Sequence, residues 1–428
     1  MQNAAADFSS SSSSGSAAPV ETAASGVKSV CSWIVLAGLI GFLVWGSRQN
    51  PWLWKRIEST PSGYVALWIL LIASVILSTR FAEGLWCAYK RACQWIFEGL
   101  RKRPWLGGAA LTGASACLFG LLRIQRADAG DILEWIMAGK QGKAFLVEHA
   151  PLETLIRCWI SEIPRLWPGA DLIVIYKSLI CLYGGIFVWA VLWFSARMDR
   201  PHRFLAPLFF FSSSAMSVYF GYLEVYGAAN LAQSIFLLTA LQCFQGKRSA
   251  TAVSFWMGLA LAMGFWHGIL LPAYLYLLWR MRRSFYGVDW ILQGLLLVLP
   301  TLLALMGLIP YANPFAGIIT RLSEPSVLIP FSPFAHAMGY TLWGARRLSD
   351  WASEILLIIP AAVGILANRL LCDFSRIRRI WKSAAFRFAL IACTACFVLG
   401  FFYHPVLGFP LDWDLYTFMH PSFALFGV

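Results

Sequence analysis

Asp128, Asp131 and Glu134 recur at three-residue spacing within RADAGDILEWIMAGKQGKAFLVEHAPLETLI, residues 126–156. A helix that begins near Asp128 stacks the three carboxylates on one face. Stacked carboxylates repel, so at least one holds its proton more tightly than in water unless a cation offsets the charge. A carboxylate tuned in this way can act as a general base, and a divalent metal is a cation that would compensate it. The plainer reading is a solvated first turn whose acids meet the positive end of the helix dipole. On residue types alone that reading is the stronger.

Glu224 lies among Tyr219, Tyr222 and Tyr226 in SVYFGYLEVYGAANL, residues 217–231. An acid ringed by aromatics suits a sugar, whose hydroxyls donate to the carboxylate while its C–H face packs on rings. A tyrosine belt at a membrane interface has the same composition. Arg346 and Arg347, with His336 in the same segment, have the fork geometry that binds phosphate, and lipid headgroups would satisfy them equally. His267 could reach a cavity or complete a structural hydrogen bond. Asp412 and Asp414 flank Trp413 and suit an acceptor or a helix cap. Lys177 falls inside an apolar run, where a charge is expensive, so it should snorkel to the boundary or pair with Glu224 or Asp171.

The chain that carries these side chains has 428 residues, of which 59% are hydrophobic and 13% charged, and its mean hydropathy is +0.65. An ordinary soluble domain is about one quarter charged, so lipid is the expected solvent. The apolar runs are continuous rather than alternating, which predicts membrane-spanning helices and excludes a barrel. They fall at 29–46, 64–79, 105–122, 171–194, 204–220, 228–244, 251–266, 269–279, 290–309, 354–371 and 386–402. The expected fold class is therefore all-α, a polytopic transmembrane bundle of about eleven spans with a partial one at the C-terminus. Residues 1–27, with their serine tract and many alanines, read as a disordered tail. Residues 28–103 read as an N-terminal membrane hairpin, its first run a retained signal anchor, followed by an interfacial amphipathic helix over 81–103. Residues 104–428 read as the main transmembrane domain.

A formal net charge of +13 could suggest nucleic acid, but the Lys and Arg lie between apolar runs and form no single stripe. Membrane lipid is the partner they imply. Arg197, Arg200 and Arg203, Lys247 and Arg248, Arg280, Arg282 and Arg283, and Arg376, Arg378, Arg379 and Lys382 mark cytoplasmic loops. The same phase puts Arg48, Lys55 and Arg56 outside, against the rule. Because residues 251–279 are basic at both flanks, they should enter and leave on one side as two short helices meeting near His267 and Gly268. Segments 123–170 and 310–353 then fall outside, and connections of such length often carry function. The ten cysteines read as small apolar packing residues.

Asp131, Trp135 four residues later, Ala138, Gly139 and HAPLETLI at 149–156 together resemble the first outer loop of the GT-C superfamily of polytopic glycosyltransferases. SVYFGYLEVYGAANL and LGFPLDWDLYTF, residues 407–418, are similar to bacterial members, the RgtA/B/C/D-like group among them. The likeness runs from about Trp105 to the end of the chain. It implies a polyprenyl-phosphate sugar as donor, an extracytoplasmic active site in a plasma or inner membrane, and Asp131 as catalytic base. The acceptor would be a glycan, lipid or protein. Asp128 is the second catalytic candidate, because Ile132 stands where many members carry a second acid. Glu134, His149, Glu224, His267, Arg346 and Arg347 are the candidates for substrate binding. The resemblance also implies helices beyond DWDL, whereas the chain stops at Val428. A shortened, inactive relative is thus one rival expectation, and a transporter or flippase is the other.

Overall fold

The computed structural model describes residues 80–122, 150–167, 169–199, 202–222, 225–311, 343–344, 347–348, 351, 355, 380–402 and 413–428. The expected tail, the runs at 29–46 and 64–79, nearly all of the run at 354–371 and most of both long outer segments lie outside these residues. Among the described residues the regular structure is helical throughout. It comprises α1 (Arg80–Lys102), α2 (Pro104–Leu121), α3 (Pro151–Ser161), α4 (Leu172–Ser195), α5 (His202–Phe211), α6 (Tyr226–Phe244), α7 (Ala250–Met263), α8 (Leu271–Met281), α9 (Gly287–Leu308), α10 (Ala384–Phe402) and α11 (Met419–Gly427), with one helical turn at Ile163–Leu166 and short 3-10 segments between some of them.

Five of these, α2, α4, α6, α9 and α10, are long and apolar enough to cross a membrane. Burial ranks them. The apolar window of α6 is 94% buried and that of α2 only 11%, so α6 is the axis of the bundle and α2 a peripheral helix. Lipid tails are as apolar as leucine, so helices in a membrane associate through close packing and interhelical hydrogen bonds. Both are present. A Cβ on Gly185 would fall 2.3 Å from the Thr112 carbonyl oxygen, and one on Gly258 would fall 2.3 Å from that of Leu296, which lets α4 touch α2 and α7 touch α9. Gln233 Nε2 donates to the Phe418 carbonyl at 2.9 Å, and Gln242 Nε2 to that of Phe194 at 2.9 Å. Ser254 is bonded to Tyr274 at 2.8 Å and to Gln293.

α1 has the amphipathic pattern expected of it. Cys93, Phe97 and Leu100 pack on Leu192, Ala196 and Phe204, while Arg91, Gln94, Glu98, Arg101 and Lys102 are exposed. The expected break between residues 251 and 279 is also present: α7 stops at Met263, Phe265–Leu270 forms a 3-10 segment, and α8 begins at Leu271. Residues 204–220 differ from the expected single span. α5 ends at Phe211 and gives way to the 3-10 segment Ser214–Tyr219, whose N-cap Ser213 accepts from the Ala215 amide. Ser213 captures a backbone donor and the Ser212 hydroxyl donates to the Phe209 carbonyl, local bonds that compete with the helix and end it. Cys393 and Cys396 have CxxC spacing, but both are buried free thiols inside α10, and Cys396 Sγ lies 3.3 Å from Ser422 Oγ.

The helix ends segregate. Ala150, just before α3, and Trp266, just after α7, pack on Tyr226 at the start of α6, α10 contacts the Phe265–Leu270 segment, and Arg347 bonds the end of α10, so these termini share one end of the bundle. At the other end Arg101 Nη2 donates to the Ala196 carbonyl at 2.5 Å, Lys247 Nζ donates to Asp199 at 2.6 Å, and His202 Nδ1 lies 2.6 Å from the Val428 backbone oxygen.

Candidate functional site

Of the sequence-derived site residues, Asp128, Asp131, Glu134, His149, Glu224 and Arg346 lie outside the described residues, as do His336 and Asp412. The ends of the segments that carry them are described, and these meet. Ala150, directly after His149, packs with Val225 and Tyr226, which directly follow Glu224, and with Trp266 beside His267. The 3-10 segment Trp413–Phe418, which contains Asp414, packs on both Ser214–Tyr219 and α6. Gly221 has φ +72°, a left-handed conformation that costs glycine little, and it turns the chain between Tyr219 and Tyr226. Tyr219, Tyr222 and Tyr226 are all buried, so they belong to the bundle and not to an interfacial belt.

His267 is buried, and its Nδ1 lies 2.9 Å from the Ala260 carbonyl oxygen and 3.0 Å from that of Gly264. A ring bonded in this way carries its proton on Nδ1 and closes the last turn of α7, whose terminal carbonyls lack partners within the helix. Its Nε2 is left as a buried acceptor with no partner among the described residues. The Tyr219 hydroxyl and both amide atoms of Asn230 are also buried without partners there. Buried polar atoms are rarely left so, and a polar ligand or water would satisfy them.

Arg347 is fully buried. Its Nη2 donates to the Phe401 carbonyl at 2.6 Å and the Gly400 carbonyl at 3.4 Å, and the guanidinium lies 5.7 Å from the Phe401 ring. A cation at the negative end of a helix is stabilising, so Arg347 anchors the end of α10. Lys177 is buried, in the second turn of α4. Asp171 caps α4, its Oδ1 accepting from the Ile173 amide at 2.8 Å.

A buried ionic group escaped the sequence reading. Glu153 and Arg157 form a 2.9 Å pair on α3 with side chains 2% and 8% exposed, and the Tyr183 hydroxyl lies 3.4 Å from Glu153 Oε2. The i,i+4 Glu–Arg spacing was the available signal, but such pairs usually sit on solvated faces. Burial pushes the nearby Cys158 thiol up to about 11, which leaves it unreactive at neutral pH. No group of three or more His, Cys, Asp or Glu able to hold a metal is found among the described residues.

These features define an all-α protein of the membrane, built on helices of spanning length. The chain matches no family model, no curated protein and no solved structure. The likeness to GT-C glycosyltransferases therefore rests on its three motifs.

Proposed function

We propose that this protein is a membrane glycosyltransferase of GT-C type. It moves a sugar from a polyprenyl-phosphate donor to an extracytoplasmic acceptor, with inversion at the anomeric carbon. The observation that carries this reading is the meeting of the motif-bearing segments: Ala150 of the first motif packs on Val225 and Tyr226 of the second, and Trp413–Phe418 of the third packs on Ser214–Tyr219. Separate in sequence, they come together at an end where the Tyr219 hydroxyl, the Asn230 amide and His267 Nε2 are buried without partners among the described residues.

In the proposed reaction Asp131 takes the proton of the acceptor hydroxyl as that oxygen attacks the anomeric carbon. The bond from that carbon to the phosphate oxygen breaks, and the electron pair leaves with the polyprenyl phosphate. Asp128 or Glu134 would keep the acidic face charged, and a divalent metal there would relieve its repulsion. His149, Glu224 and Arg346 are the further substrate-binding candidates. Arg347, already bonded to the α10 carbonyls, would contribute mainly by fixing that helix end.

Removing a general base of this kind lowers rate by about 10² to 10⁴. Transfer of radiolabelled sugar from polyprenyl-phosphate donors by purified wild type and Asp131→Asn should differ by at least the lower figure, with both proteins eluting as folded species. Equal transfer by the two would remove Asp131 from the reaction. No transfer by either would favour the transporter or inactive-relative readings.

A further inference from the structure

The basic end of the bundle holds a cavity of about 560 Å³, within the range of small-molecule sites. It is bounded by the start of α2, the second half of α4, α6 and the start of α7. Its lining is apolar and rich in tryptophan, with Trp105, Trp189, Trp193 and Trp256 contributing. Trp105 is 82% exposed, so that wall borders the surroundings of the bundle.

Arg197 and Arg248 are the cations of this lining. Both lie over the same indole, with guanidinium carbons 3.7 Å and 4.9 Å from the centre of the Trp193 ring. Both are half-buried, and neither has a carboxylate partner among the described residues. The acid of this region, Asp199, is taken by Lys247 at 2.6 Å. Arg101 adds a third positive charge by bonding to the Ala196 carbonyl beside Arg197. Burial, and then repulsion from Arg248 and Arg101, draw the Arg197 pKa down. Deeper in the same cavity Thr239 is 1% exposed, and its hydroxyl has no hydrogen-bond partner among the described residues.

We propose that this cavity is a binding site for an anionic phospholipid, with the phosphate between Arg197 and Arg248 and an acyl chain lying along Trp189, Trp193, Ile235 and Trp256. Uncompensated guanidiniums at the mouth of an apolar slot match a molecule that is anionic at one end and hydrocarbon at the other. Arginine already held against an aromatic ring loses little freedom on binding phosphate, and the low local dielectric strengthens the contact. The Thr239 hydroxyl suits a carbonyl of the ester linkage. This site lies at the opposite end of the bundle from the proposed transfer site and does not depend on it.

The test is native mass spectrometry of the full chain in detergent, with phosphatidylglycerol and phosphatidylcholine of the same acyl chains. Wild type should retain one phosphatidylglycerol under activation that strips phosphatidylcholine, and equal retention of the two overturns the proposal without any variant. Arg197→Gln with Arg248→Gln should weaken phosphatidylglycerol binding about tenfold or more. Ala252→Trp, which fills the cavity and keeps both cations, should weaken it as well. If Ala252→Trp binds as wild type does, and inorganic phosphate displaces the lipid, the site takes an anion alone and the lipid assignment falls.

Discussion

Glu153 shows how one residue changes meaning when its surroundings are known. In HAPLETLI it reads as an ordinary helical acid, yet it is buried with Arg157 and near Tyr183, holding α3 against α4. Breaking a buried pair by removing one partner typically costs about 3–5 kcal/mol, because the other charge stays in a poor solvent. Glu153→Leu should destabilise by an amount in that range, seen as a lower thermal midpoint in detergent, and Glu153→Leu with Arg157→Met should recover much of the loss. A double variant no more stable than the single one would show that the pair itself is not the source. His267 is a related case: the sequence offered a ring that reaches a cavity or one that completes a structural hydrogen bond, and the structure commits one nitrogen to closing α7.

At the scale of elements, glycine decides which helices touch. Gly185 faces the backbone of α2 and Gly258 the backbone of α9, with no space for a Cβ at either. Gly294 in α9 has nothing within 4 Å of its Cβ position. Gly185→Leu should therefore separate α2 from α4 and destabilise by about 1–3 kcal/mol, as overpacking does. Gly294→Ala should be neutral or stabilise by up to about 1 kcal/mol, since alanine gives up less backbone entropy in a helix. Thermal unfolding of the two variants measures both effects, and an equal response would mean that close approach is not what these glycines provide. Hydropathy located α2 and α4 best, to one residue at each end of the runs at 105–122 and 171–194, whereas α7 stops three residues before the end of the run at 251–266 and α8 is shifted by two from 269–279.

Across the whole molecule, the two ends differ in kind. One gathers the motif-bearing segments and unpartnered buried polar atoms; the other gathers Arg101, Arg197, Lys247 and Arg248. The charge rule predicts that the basic end faces the cytoplasm. With the exposed Cys87 and Cys117 changed to Ser, Ser284→Cys and Leu166→Cys should react with an impermeant maleimide from opposite faces of sealed vesicles, Ser284→Cys from the cytoplasmic face. Labelling of both from one face would contradict the separation of the ends.

The sequence by itself determined that the chain is helical and belongs in a membrane, where α2, α4, α6, α9 and α10 begin and end to within a few residues, and where the break near His267 falls. Those properties follow from local hydropathy and charge, which a linear reading contains. Only the tertiary structure decided that α6 is the buried axis and that residues 204–220 break at their serines. It also decided that Tyr219, Tyr222 and Tyr226 face inward, that Arg347 is committed to the end of α10, and that Arg197 and Arg248 share one tryptophan at the mouth of a cavity. Each of these depends on which faces of distant helices meet, and apolar helices with little amphipathic asymmetry carry no local signal that says so.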